Sequence, residues 1–254
     1  MCINWTKSFY FFRFVEQSSN MKFSFGCLLC AGGGSRKGER DVRERKTVKL
    51  ERSTTTLRVV FTNARTEWVK RNRQGTDPGN IWGLHGIWLH PRPSGSNKTD
   101  ISFGTNHPSF SEWSRAWNPL NRMSIFHFLK TVWDKHGSHL EHTTYSQYFD
   151  LGVRVHDDLN FQEKIEEALA GIQADVVAVN TLTWRRTDAA TLLTALERRF
   201  GYSPILKAIQ VDGRLYLYEV LTEIQYNEFG KDYEIEQGPS QMFISCVATD
   251  LICF

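Results

Sequence analysis

The sequence predicts an α+β fold, and two local patterns carry most of that prediction. The segments Ile205–Val211 and Arg214–Ile224 are rich in strand-forming residues, and the Asp212-Gly213 pair between them is a strong signal for a tight hairpin. The segment Ser124–His136 begins with a residue that caps helices and is followed directly by a glycine, as helices often are. Because helical segments are inserted between strand-like segments along the chain, we expect a mixed α+β domain.

The remaining elements are predicted in order from their composition and spacing. Leu57–Thr62 is a short β-branched run and is predicted to be a strand. Ile81–Leu89 is apolar with glycines at positions 83 and 86, which suits a buried strand that another group approaches closely. Three further segments are typical of helices, namely Tyr145–Leu159, Phe161–Ile172 and Asp188–Phe200.

The N-terminal segment differs from the rest of the chain in charge. Residues 1–56 hold 11 Lys and Arg against 5 Asp and Glu, whereas the other residues hold 20 against 23. We therefore predict a leader with a charged linker over residues 1–56 and a folded domain over residues 57–254. Within the leader, Met21 begins a pattern of one positive charge, a short apolar run and small residues. That pattern fits both a signal peptide and a disordered leader.

Composition and charge argue against two classes of protein. No stretch approaches the roughly 20 apolar residues that a membrane-spanning helix needs, so an integral membrane protein is not expected. Since the predicted domain is mildly acidic, a broad positive surface for long duplex nucleic acid is not expected either. A small site for one or two phosphates remains compatible with this charge.

Two segments carry candidate catalytic residues. Residues 82–88 have the sequence WGLHGIW, and residues 128–137 have the sequence FLKTVWDKHG. The histidines His85 and His136 can serve as base and acid near neutral pH, each contributing about 10²–10⁴ in rate. Lys135 can stabilise negative charge on a reacting phosphate, a contribution of about 10²–10³. Such a set can cleave RNA by transphosphorylation without a metal or another cofactor.

Both segments resemble the active-site signatures of the ribonuclease T2 family, His-Gly-Leu-Trp-Pro and His-Glu-Trp-x-Lys-His-Gly. The spacing of 51 residues between His85 and His136 fits that family. Later landmarks follow in the same order, at Tyr148-Phe149, Gly201–Pro204 and Leu217–Val220. The resemblance implies an α+β, ribonuclease T2-like fold with a central, mostly antiparallel sheet and helices packed on it. It places the first motif on a central strand and the second on a helix.

Carried over residue by residue, the resemblance implies that His136 is the general base and His85 the general acid. Lys135 matches the cation that stabilises the phosphorane. Trp88 matches the aromatic residue on which a base stacks, a contact worth about 1–3 kcal/mol. The implied substrate is single-stranded RNA, and the implied products end in a 2′,3′-cyclic phosphate and then a 3′-phosphate.

The sequence departs from the family pattern at two places. Thr131 and Val132 stand where the family has His-Glu, so Thr131 is predicted to contact the substrate in place of the histidine. Helical spacing places Val132 on one face with His136, and each lost group is expected to cost about 10- to 10³-fold in activity. His90 follows Leu89 where the family often has Pro-Asp, so His90 is predicted to contact the substrate with an altered base preference.

Three functions remain open from the sequence. The first is an endoribonuclease with reduced activity, and the second is a catalytically weakened relative that binds RNA or a protein partner. The third is a zinc protein that uses His136, His139 and His142, although no fourth ligand is evident. We expect a monomer that needs no metal and binds no membrane. The family is generally secreted or lysosomal/vacuolar, which agrees with the Met21 pattern, while the lack of mid-chain cysteines leaves a reducing compartment open.

Overall fold

The computed structural model describes residues 54–93, 106–120, 123–179, 181–238 and 241–254. The predicted leader as far as residue 53 lies outside these residues. In chain order the strands are β1 (Thr54–Asn63), β2 (Trp82–Leu89), β3 (Asp175–Val179), β4 (Leu182–Asp188), β5 (Ile205–Val211), β6 (Arg214–Asn227), β7 (Asp232–Ile235), β8 (Phe243–Ile244) and β9 (Leu251–Cys253). The α-helices are α1 (Ala64–Lys70), α2 (Phe110–Ala116), α3 (Ile125–Lys135), α4 (Tyr145–Leu159), α5 (Phe161–Ala170) and α6 (Ala189–Phe200).

The strands of the described residues form one sheet around the long strand β6. The order along the sheet is β2-β1-β6-β9-β4-β3, with β5 and β7 also paired to β6 and β8 paired to β5. The β6–β9 and β5–β8 pairs are parallel, and the other pairs are antiparallel. The predicted α+β fold with a mostly antiparallel sheet is therefore confirmed.

The main hydrophobic core lies between the helices and one face of the sheet. Helices α2 to α6 all contribute buried side chains to it. Strand β1 contributes every second residue, namely Leu57, Val59 and Phe61. Because successive side chains of a strand point to opposite faces, the residues between them lie on the other face of the sheet. The side chains of β1 that do not enter this core therefore lie on the second face of the sheet, where they are available for a site.

The second face of the sheet carries a smaller apolar cluster and a row of charged side chains. Val60, Ile205 and Leu221 form the cluster, with Trp88 packed against it. Arg58 lies directly across from Trp88 in the β1–β2 pair and from Glu223 in the β1–β6 pair. The charged side chains therefore lie beside the segment that the sequence marks as the first motif.

The predicted elements are present, with shifts at their ends. Strand β1 begins at Thr54, ahead of its predicted start, β6 runs on to Asn227, and α5 ends at Ala170. The predicted hairpin is confirmed, because Asp212 and Gly213 have φ of 49° and 74°, and a two-residue turn with positive φ at both positions suits the twist of paired strands. Among the described residues, no helix combines the length and the apolar character required to cross a membrane.

Candidate active site

His85 lies at a β-bulge on β2. In the β1–β2 pair Val60 faces Gly86 and Phe61 faces Leu84, so His85 is an extra residue without a partner on β1. A bulge of this kind redirects the side chain of the extra residue. Leu84 before it is buried in the main core, whereas the His85 ring lies near Trp88 on the second face. Because of the bulge, the His85 side chain lies outside the main core that buries its neighbour Leu84.

His136 lies at the end of α3 and has already left the helical conformation. Its φ is −133°, and its backbone N–H donates to the carbonyl oxygens of Val132 and Trp133. Gly137 follows in very close contact with the Trp133 ring, where a Cβ atom would lie 2.4 Å from a ring carbon. The packing of Trp133 thus fixes the point at which the chain turns and the direction in which His136 projects.

A single indole connects the two histidines. The Trp88 ring stacks on His136 with a centroid distance of 5.1 Å and meets His85 edge-on at 6.2 Å. This position depends on Gly86, because a Cβ atom there would lie 2.1 Å from Trp88 Nε1. One face of the indole is occupied by His136, so the stacking of a substrate base on Trp88 stays a prediction.

Helix α3 contributes to both sides of this arrangement. Phe128, in its first turns, packs against His85 with a centroid distance of 6.0 Å, while its last residue, Lys135, precedes His136. The helix and the bulged strand are therefore joined through two separate ring contacts. We conclude that the site is positioned by packing between α3 and β2.

Burial and neighbouring charges lower the pKa of both histidines, but to different extents. Desolvation and the positive charges of Arg92 and Lys135, with further contributions from His85 and His139, lower the pKa of His136 to about 3. Desolvation also lowers the pKa of His85, but the carboxylates of Glu219 and Glu67 oppose that shift.

Glu219 is itself held in a buried polar network. It lies opposite Thr62 across the β1–β6 pair, and Lys207 Nζ is 2.7 Å from its Oε2 atom. Glu67, on α1, accepts hydrogen bonds from Tyr218 and Arg71. Burial lowers the pKa of His85, these two carboxylates oppose that shift, and Lys207 and Lys70 add to it.

A cavity beside His136 is rich in positive charge. It is lined by Arg58, Trp88, Leu89, His90, Arg92, Lys135 and His136. Lys135 and Arg92 are exposed, and no carboxylate of the described residues lies within ion-pair distance of either. Arg58 differs, since its Nε atom is 2.7 Å from Glu223 Oε1 and its Nη2 atom is 3.0 Å from His90 Nε2. The cavity thus offers two unpaired cations and one paired cation to an anion.

The structure groups five of the six predicted site residues. His85 and His136 contact the Trp88 indole, and Trp88, His90, Lys135 and His136 line one cavity. Thr131 is not among the lining residues, and its hydroxyl donates a hydrogen bond of 2.8 Å to the backbone oxygen of His127. Its contact with substrate stays a prediction.

The prediction that Val132 and His136 lie on one face of a helix is wrong. Val132 is buried in the main core, 4% exposed, whereas His136 lies outside the helical conformation and stacks on Trp88. The helical spacing rule fails here because α3 ends at Lys135. The isopropyl group that stands in the place of the family glutamate therefore packs inside the protein.

Sequence patterns did not identify the two arginines of the cavity. Arg58 is the one charged residue of β1, and only the pairing of β1 with β2 and β6 brings it to the site. Arg92 follows the end of β2 in a segment without a motif. A basic residue shortly after the strand of the first motif is a weak sequence signal that could have identified Arg92.

The histidine cluster proposed as a zinc site is spread out in the structure. The His142 ring packs on Phe229, with a centroid distance of 4.8 Å, and His136 stacks on Trp88. No group of three or more His, Cys, Asp or Glu side chains in the described part of the chain is arranged to hold a metal ion.

Comparison with known proteins relates this fold to solved ribonuclease structures. The sequence matches no protein-family model and no curated protein. Ribonuclease MC1 from the seeds of bitter gourd is similar in structure, with 18% sequence identity, a TM-score of 0.56, and coverage of 79% of this chain and 100% of that one. Japanese pear S3-RNase is 15% identical, with a TM-score of 0.56 and coverage of 79% and 100%.

A third similar structure holds a nucleotide. RNase NT in complex with 5′-AMP is 17% identical, with a TM-score of 0.55 and coverage of 77% of this chain and 96% of that one. At these identities the likeness establishes the fold. The protein has a ribonuclease T2-like fold.

Proposed function

We propose that this protein is an endoribonuclease that cleaves single-stranded RNA by transphosphorylation. The observation that carries the proposal is the contact of both motif histidines with one indole, beside Lys135, which has no carboxylate partner among the described residues. Two imidazoles and a cation at one place are the groups that this reaction requires. The ribonuclease T2-like fold supports the proposal independently of the side chains.

In the proposed reaction His136 removes the proton from the 2′-hydroxyl group of the RNA. The 2′-oxygen then forms a bond to phosphorus, and the bond from phosphorus to the 5′-oxygen of the next nucleotide breaks. His85 donates its proton to that leaving oxygen, which leaves a 2′,3′-cyclic phosphate. Lys135 stabilises the extra negative charge of the phosphorane. In hydrolysis of the cyclic phosphate, water takes the place of the leaving alcohol and the two histidines exchange roles.

The difference in pKa between the histidines supports this assignment. With its pKa lowered to about 3, His136 is neutral over most of the acidic range and is ready to accept a proton. His85 must be protonated to act as the acid, and carboxylates oppose the lowering of its pKa. The active form therefore exists above about pH 3 and is lost as the pH rises through a His85 pKa below 6.5. An acidic optimum follows, which suits an extracellular, lysosomal or vacuolar compartment.

The proposal is tested by replacing the histidines one at a time. His85→Ala and His136→Ala are each expected to lower the cleavage rate of a single-stranded RNA by about 10²–10⁴. His142→Ala, which alters a ring packed on Phe229, is the matched control and is expected to cleave like the parent protein. Unchanged cleavage in both single variants would rule out the paired-histidine mechanism.

One observation favours a second candidate, a weakened relative that binds RNA without efficient turnover. The position of the family glutamate holds Val132, whose side chain is buried in the core, so this position supplies no carboxylate to the site. The cavity would still bind an anionic strand through its cations. Measurable turnover that depends on both histidines favours the enzyme, and binding of RNA with no turnover at any pH favours the second candidate.

A further inference from the structure

The cavity beside His136 holds more positive charge than one phosphodiester requires. Arg92 and Lys135 are both exposed there without a carboxylate partner among the described residues. A phosphodiester carries one negative charge, and the proposed reaction assigns it to Lys135. The charge of Arg92 therefore remains available for another anion.

Arg92 and Lys135 reach the cavity from different segments of the chain. His85 does not line this cavity and precedes Trp88 on β2, whereas His90 and Arg92 follow Trp88. Strand β2 ends at Leu89, so Arg92 lies in the segment that follows the strand carrying His85. Lys135 and His136 reach the same cavity from the end of α3. The cavity thus lies between Arg92, which follows β2, and the residues Lys135 and His136 at the end of α3.

Arg58 and His90 form a pair in the lining of the cavity. Arg58 bridges the buried Glu223 and the Nε2 atom of His90, at 2.7 Å and 3.0 Å. Since arginine can only donate, His90 accepts at Nε2 in this contact, which leaves Nδ1 to carry a ring proton. His90 can therefore donate a hydrogen bond from Nδ1, and a phosphate oxygen can accept it.

We infer that Arg92, together with the Arg58–His90 pair, forms a second phosphate subsite for the phosphodiester adjacent to the one that is cleaved. This inference rests on the proposed function and narrows its substrate class. A strand of three or more nucleotides occupies both the reacting site and the subsite, whereas a dinucleoside monophosphate occupies the first alone. Each cation–phosphate contact with a single strand adds about 0.7 to the slope of log affinity against log salt concentration.

The test uses 2′-O-methyl ligands, which lack the 2′-hydroxyl group and cannot be cleaved. Calorimetric titration measures the affinity of the full chain for a dinucleoside monophosphate and for a trinucleoside diphosphate at several salt concentrations. We expect Arg92→Gln to weaken trinucleotide binding about fivefold and to reduce its salt slope by about 0.7, with dinucleotide binding unchanged within about twofold. Arg214→Gln removes an equal charge at the exposed β5–β6 hairpin and is expected to alter neither affinity.

Several outcomes would overturn the subsite. Equal weakening of both ligands would place Arg92 at the reacting phosphate. Unchanged binding of both ligands, or a parent protein that binds the trinucleotide no more tightly than the dinucleotide, would remove the second phosphate altogether. Cleavage of unmodified RNA by the parent protein is measured separately, so absence of catalysis and absence of the subsite are distinguished.

Discussion

His85 and His136 contact the same indole but lie in opposite electrostatic surroundings. Carboxylates of Glu219 and Glu67 act on His85 from the sheet and α1, whereas the cations Arg92 and Lys135 act on His136. Two identical side chains can therefore hold different protonation states at one pH. This difference in surrounding charge indicates that the neighbouring residues determine which histidine donates a proton and which accepts one.

After the histidines themselves, the largest effect is expected at the cation next to His136. Lys135→Ala should lower the cleavage rate by about 10²–10³, because the phosphorane loses its stabilising charge. Lys130→Ala is the matched control on the same helix, since Lys130 Nζ lies 3.2 Å from Asp134 Oδ2 and not in the cavity. Steady-state cleavage of a short RNA measures both variants. Equal losses would mean that Lys135 acts only through the stability of α3.

Replacing Thr131 and Val132 with the histidine and glutamate of the ribonuclease T2 family should have different effects at the two positions. Thr131→His is expected to raise the cleavage rate about tenfold, because a phosphate-binding group returns to the exposed side of the helix. Val132→Glu is expected to lower the free energy of unfolding by about 3 kcal/mol, since it introduces an unpaired carboxylate into the core. RNA cleavage and thermal unfolding measure the two effects. A stable, more active Val132→Glu protein would contradict the position of that side chain.

A smaller effect is expected from moving the indole between the histidines. Gly86→Ala places a Cβ atom where Trp88 Nε1 lies at 2.1 Å, so the indole must shift and both histidines lose a common contact. We expect activity to fall about tenfold, in line with misplaced catalytic groups. Gly238→Ala, where nothing lies within 4 Å, is the control. Tryptophan fluorescence should change in the first variant and stay constant in the second.

The smallest effect is a shift of the alkaline side of the pH–rate profile. Lys207→Gln removes a cation that lowers the pKa of His85, so that pKa rises and activity persists to higher pH. Glu219→Gln removes a carboxylate that raises the same pKa, so activity is lost at lower pH. Profiles of kcat/KM against pH measure both shifts. Shifts in the same direction would disprove the electrostatic division between the histidines.

The candidate site residues that the fold brings together were found from the sequence where they lie in continuous motifs. His85, Lys135 and His136 could be identified because each belongs to a short segment with a recognisable order. Arg58 could not, because its partner Glu223 is 165 positions away and the strand pairing that joins them leaves no local pattern. The bulge at His85 is likewise a property of the β1–β2 register.

The secondary structure was likewise predicted only where its sequence signal is local. Helix α4 and strand β5 were predicted with their bounds, and the turn between β5 and β6 at its position, because their signals are local. The short helices α1 and α2 and the strands β3, β4, β7, β8 and β9 were not predicted, since few residues carry each signal. Their formation depends on pairing and packing with distant parts of the chain.

The central claim is that two histidines without a metal cleave RNA at this site. Its most direct test is incubation of the purified protein with single-stranded RNA in EDTA from pH 4 to pH 8, with identification of the new RNA ends. We predict 2′,3′-cyclic phosphate ends that form fastest below pH 6.5, the ordinary histidine pKa that burial lowers at His85. Absence of cyclic phosphate ends across this range would contradict the claim.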